Sequence, residues 1–178
     1  MAEHAVRSLA AWSSFYVMIG SSAAALTGLM FVVITLVTRA EMAARKDGLA
    51  IFNTPTVLHF SVALLVSAIL CAPWRSLVPP AVIVGVAGLY CVAYVLRVAG
   101  LARRLTGYVA DTEDWVWYAI IPMVAFCTML GGAVALPFAT TQALYAIAAA
   151  SLLLVFIGIR NAWDVVTFLA IKGPLPPE

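Results

Sequence analysis

Apolar residues in this chain fall into long unbroken runs, at about 14–37, 55–74, 80–101, 115–136 and 142–163, with short polar stretches between them. The first run stops at Thr38-Arg39, and the last continues past Arg160 in a more polar form to Lys172. A helix rises about 1.5 Å per residue, so roughly 20 residues cross a hydrocarbon core of ~30 Å. Each run meets that length. Backbone groups in lipid must be paired within their own segment, so each run is predicted to be a helix. The alternation of a membrane β-strand is missing. Pro55 suits a first helical turn, with Asn53 or Thr54 as its cap. The link Arg75–Pro79 predicts an antiparallel hairpin of the second and third helices, and the proline-rich tail after Gly173 cannot remain helical.

Composition agrees with this pattern. Of the 178 residues 65% are hydrophobic and 10% charged, with mean hydropathy +1.07. A soluble domain has roughly 45–50% apolar and about 25% charged residues, and a fold of this size leaves too much surface exposed to hide the excess. The fold class is therefore all-α: a polytopic membrane helical bundle, with residues 1–178 forming a single integral membrane domain whose first partner is the lipid bilayer. A net charge of +2 gives no footprint for nucleic acid. Cys71, Cys91 and Cys127 stand far apart within apolar runs, without metal-ligand spacing, and read as small buried hydrophobes. Arg7 is the only early positive charge and the run Phe15–Val37 exceeds a signal-peptide core, so the first run is expected to be a retained anchor.

Charge sets the expected orientation. With five transmembrane helices, Arg7 and Arg75 fall on one side; Arg39, Arg45, Lys46, Arg97, Arg103, Arg104, Arg160 and Lys172 fall on the other. The positive-inside rule puts the larger group in the cytoplasm, with the N-terminus outside and the C-terminus cytoplasmic. Trp12 and Trp74 then sit at outer ends and Trp115, Trp117 and Trp163 at inner ends, where tryptophan favours the headgroup region.

Polar and small residues inside the runs are the candidate sites. The stretch GSSAAALTG, Gly20–Gly28, lacks the lysine and spacing of a phosphate loop. On a helix, Gly20, Ala24 and Gly28 form a small-xxx-small stripe that Ser21 and Ala25 widen. This is expected to be a helix-packing or oligomer contact. Ser21, Ser22 and Thr27 are the hydroxyls available to a pore, although such groups readily bond to their own helix. His59 lies about one turn inside the second helix and, with Thr27, is the candidate intramembrane polar site. It stands alone, without a second ionisable group securely at mid-membrane to exchange a proton with. Arg160 and Asp164, four apart, are expected to form an interfacial ion pair. Asp111 and Asp114 read as a cap for the fourth helix, and Pro122 as a bend within it. No catalytic constellation, metal-ligand set or cofactor motif stands out, so no enzyme activity and no cofactor are expected.

The segments FYVMIGSSAAALTGLMFVVITL and NTPTVLHFSVALLVSAILCAPW resemble those of a loose group of small, uncharacterised bacterial inner-membrane proteins, over roughly the first 75 residues. Members typically open on an aromatic residue and a Gly/Ser/Ala stretch ending in T-G-L-x-F-V. The resemblance implies a multi-pass bacterial inner-membrane protein and carries no activity with it. The expected role is that of a non-enzymatic accessory or regulatory component within a larger membrane complex. The alternative is a homo-oligomeric small channel or transporter.

Overall fold

The structure, a computed structural model, describes residues 2–41, 49–102 and 115–171. Every regular element among them is helical: α1 (Ala2–Ala11), α2 (Ser13–Glu41), α3 (Leu49–Cys71), α4 (Val78–Ala102), a π-helical turn (Val116–Ile120) leading into α5 (Ile121–Ala135), and α6 (Thr140–Ile171). The basic pairs Arg45-Lys46 and Arg103-Arg104, the Asp111–Asp114 cap and Lys172 lie outside the described residues.

Four helices are long and apolar enough to cross a membrane: Ser13–Val33, Val78–Gly100, Val116–Ala135 and Thr140–Asp164. The apolar part of α3, Pro55–Cys71, is shorter. Large hydrophobic side chains face outward from these helices; Val86, Tyr90, Val134 and Phe156 are each more than 60% exposed. Water would penalise that surface and lipid does not.

Three features depart from the sequence reading. The chain before the first long helix is itself helical, with Leu9 buried against the core and Arg7 exposed. Helix α3 begins at Leu49, so Asn53 and Thr54 lie inside it and Pro55 is an interior proline, which cannot donate to the helix ladder. Neighbouring helices and local adjustment make such interior prolines tolerable in membrane helices. Pro122 has the corresponding effect in the fourth run. The chain approaches it through a π-helical turn in which the Ile121 N–H bonds the Val116 carbonyl.

Packing order also differs from the expected hairpin. The closely packed pairs are α2 with α3, α3 with α6, α6 with α5, and α5 with α4; α3 and α4 touch only lightly despite their short link. Each close pair meets at a glycine. A Cβ on Gly20 would lie 2.9 Å from Ser67 Cβ and one on Gly132 2.7 Å from Ile147 Cγ1, while one on Gly158 would run into the Phe60 ring at Cε1. On Gly88 it would lie 3.4 Å from Leu130 Cα. The last contact explains why α4 leaves α3. Gly85 and Gly88 share a face that admits the backbone of α5, while Trp74 Nε1 donates to the Ile69 carbonyl at 2.6 Å and ties down the end of α3.

The core between the helices is filled by Tyr16, Phe60, Phe126, Met129, Leu136, Leu144, Ile147, Leu154 and Ile157. At one end an aromatic group joins Trp12, between α1 and α2, to Tyr16 of α2 and Tyr145 of α6. Trp12 meets Tyr145 edge-on at 4.7 Å between centroids, and the Tyr16 hydroxyl donates to the Leu144 carbonyl at 3.3 Å. The turn between α5 and α6 satisfies its own backbone: Ala139 N–H donates to the Ala135 carbonyl at 2.8 Å, and Ala143 N–H to the Ala139 carbonyl at 2.9 Å.

The α4–α5 pairing is directly testable. A Cβ on Gly85 would sit 3.7 Å from Ala133 Cβ, within the ~3.5–4.5 Å range of disulfide-bonded Cβ atoms. With the native cysteines replaced by serine, Gly85→Cys combined with Ala133→Cys is expected to cross-link under mild oxidation, as a mobility shift on non-reducing gels. A hairpin of α3 with α4 as the primary contact would leave that pair reduced.

Candidate functional site

Small residues of α2 occupy two different surfaces. Tyr16, Ile19, Gly20, Ala23 and Met30 are buried, forming a seam at three- and four-residue spacing. Ser21, Ala24, Ala25 and Gly28 are exposed, and a Cβ on Gly28 would meet nothing within 4 Å. Within this chain, then, Gly20 alone of the expected contact residues enters a helix interface. The reason is geometric: successive residues turn about 100°, so each four-residue step advances about 40° around the axis. The line Gly20–Ala24–Gly28 therefore drifts off the contact face, whereas alternating steps of three and four remain on it. Thr27 is half-buried, and its hydroxyl donates to the Ala23 carbonyl at 2.8 Å, which uses its one hydrogen-bond donor.

His59 is enclosed at 2% exposure on α3, with its ring 5.8 Å from that of Phe126 on α5. Its Nδ1 has no hydrogen-bond partner in the protein. Asn161, on α6, is fully buried, and neither its Nδ2 nor its Oδ1 has a protein partner. Thr56, one turn before His59, is also fully buried. In sequence Asn161 lies between Arg160 and Asp164, whose charges draw the reading to the ion pair. A usable signal was present: Asn161 continues the inward line of Ile147, Leu154 and Ile157.

Two further serines are buried in the bundle. The Ser151 hydroxyl donates to the Ile147 carbonyl at 2.8 Å, while the Ser67 Oγ, beside Gly20, is unpartnered. Each unsatisfied buried group costs about 1–3 kcal/mol. A serine hydroxyl can limit that cost by rotating toward its own helix, as Ser151 does.

Arg160 and Asp164 form an ion pair one turn apart on α6, with side chains 28% and 40% exposed. The Arg160 guanidinium also lies 4.7 Å from the centroid of the Trp117 ring. Partial exposure limits the pair to about 0.2–1 kcal/mol. The contact with Trp117 matters more for geometry, because it ties α6 to the π-helical turn ahead of α5. Cys71, Cys91 and Cys127 are free thiols, with Cys91 buried and the other two exposed. Among the described residues no group of three His, Cys, Asp or Glu side chains is placed to hold a metal ion.

Taken together, the geometry leaves three buried side chains with polar atoms that lack a protein partner, His59, Ser67 and Asn161, and an outward small-residue face on α2, Ser21 with Ala24, Ala25 and Gly28. In comparisons with known families, curated proteins and solved structures, the chain matches no family model, no curated protein and no solved structure.

Proposed function

We propose that the chain is a five-span, non-catalytic component of the bacterial inner membrane, serving as an accessory or regulatory subunit of a larger membrane assembly. Its N-terminus lies outside and its C-terminus in the cytoplasm. The observation that carries the five-span reading is the position of α3. Its C-terminal residue, Cys71, places its thiol 3.8 Å from the Ser13 carbonyl at the start of α2. The two helices run antiparallel from that point, and α3 has 23 residues, or about 34 Å at ~1.5 Å each. That is enough to follow α2 through the hydrocarbon core. The surplus of Lys and Arg in the segments after α2 and α4 supports the orientation. The resemblance of the first two helices supports the inner membrane as the location.

The subunit role rests on the outward face of α2. Four small residues there, Ser21, Ala24, Ala25 and Gly28, allow a neighbouring helix to approach closely, and small residues are what membrane helix interfaces favour. A homo-oligomeric channel is the second reading. It is favoured by the exposure of Ser21 and Ser22 on that face and weakened by the internal bond of Thr27.

Two experiments decide these points. In a cysteine-free background, single cysteines at positions 45 and 104 are expected to resist a membrane-impermeant thiol reagent in intact cells, and one at position 76 to react. Equal reactivity at 45 and 76 rules out α3 as a span, and labelling at 45 and 104 reverses the orientation. For the subunit role, native mass measurement after extraction in lipid-bearing polymer discs is expected to show the chain with a different protein bound. A pure homo-oligomer supports the channel reading instead, and a lone monomer contradicts both.

A further inference from the structure

Among the described residues, those that are both buried and polar are Thr56, His59, Ser67, Ser151 and Asn161. His59 and Asn161 stand apart from the serines chemically. A carboxamide presents two donors and an acceptor, which no single backbone carbonyl can satisfy, and an imidazole nitrogen aimed inward has no flexible arm to reach its own helix. Three polar atoms of these two side chains are enclosed without a partner: His59 Nδ1, Asn161 Nδ2 and Asn161 Oδ1.

Register places each of the two residues within one helical turn of the Phe60–Gly158 contact between α3 and α6. Phe60, next to His59, packs its ring against Gly158, and Asn161 is three residues further along α6, about 4.5 Å of helix rise. The ring of Phe126 approaches His59 from α5, and Ile157 and Leu154 continue the apolar core on α6.

From this we infer that His59 and Asn161 together form an internal binding site for water, held between α3, α5 and α6. The guest must both donate and accept, because Asn161 offers both kinds of group. It must be small, because the surrounding side chains are packed. It must also be uncharged: the buried polar set contains no carboxylate to balance a cation and no guanidinium or ammonium to balance an anion. Water meets all three conditions, and a buried water typically makes about three hydrogen bonds to groups of this kind. It would join α3 to α6 by a polar link just where Gly158 lets Phe60 in, in a core otherwise held by apolar contact. This inference goes beyond the subunit reading and depends only on how α3, α5 and α6 pack, so it stands or falls separately from the oligomeric state.

The test is water-edited solid-state NMR of the full chain, isotopically labelled and reconstituted in lipid bilayers. Magnetisation is expected to pass from water to the Asn161 side-chain amide and the His59 ring, and not to the neighbouring side chains of Leu154 and Phe60. The Asn161→Leu variant, similar in volume, is expected to lose the transfer at His59 while the shifts of Phe126 and Leu154 stay in place. Asn161→Ser, which keeps a hydrogen-bonding group, is expected to retain it. Absence of transfer at both residues in the unmodified protein overturns the proposal, including the case in which the two side chains pair directly with each other. Transfer at His59 that survives Asn161→Leu overturns the shared site. If Asn161→Leu fails to fold, the unmodified protein and Asn161→Ser still decide the matter.

Discussion

Lipid supplies no hydrophobic drive between one apolar helix and another, so this bundle depends on how closely its backbones approach. The close approaches follow the packing order. Gly20 admits Ser67 between α2 and α3, Gly158 admits Phe60 between α3 and α6, Gly132 admits Ile147 between α6 and α5, and Gly88 admits Leu130 between α5 and α4. Three other glycines face open space: a Cβ on Gly28, Gly100 or Gly131 would meet nothing within 4 Å. Tight contact multiplies weak dispersion terms and permits the interfaces seen in membrane bundles. The outward surface is left apolar for lipid.

That arrangement explains why polar groups can be carried inside. Closely packed helices exclude lipid from the core, and His59 on α3 and Asn161 on α6 are both buried in it. At the end of the bundle where Trp117 lies, the polar groups behave differently. Arg160 pairs with Asp164 and covers the Trp117 ring while remaining partly exposed. At the opposite end, Trp12, Tyr16 and Tyr145 fasten α1 and α2 to α6 through ring contacts and one hydroxyl bond.

Much of the helix content was legible in the chain, because a run of twenty apolar residues has few alternatives in lipid. Helix α1 was not, since its ten residues fall far short of an apolar span and stand out little beside runs of twenty. The start of α3 was misjudged because Pro55 is as compatible with an interior as with a first turn once neighbouring helices surround it. Packing order was also hidden. Gly131 and Gly132 are adjacent and equivalent in sequence, yet one faces outward and the other meets α6. On α2, the four-residue spacing that drew attention to Gly20, Ala24 and Gly28 describes a line that winds away from the real seam. Asn161 is masked in sequence by its charged neighbours Arg160 and Asp164; the inward line of α6 through Ile147, Leu154 and Ile157 is the better guide to it.

The close-approach account is tested most directly by comparing alanine substitutions at those adjacent glycines by thermal unfolding in detergent. At Gly132 a Cβ would lie 2.7 Å from Ile147 Cγ1 and 3.2 Å from the Ala143 carbonyl oxygen. Overpacking of this kind costs about 1–3 kcal/mol, and Gly132→Ala should melt at a clearly lower temperature. Gly131→Ala adds a methyl group where nothing lies within 4 Å and gains roughly 0.5–1 kcal/mol of helix preference, so it should melt at the same temperature or higher. Equal melting temperatures for the two variants would contradict a bundle held by backbone contact at its glycines.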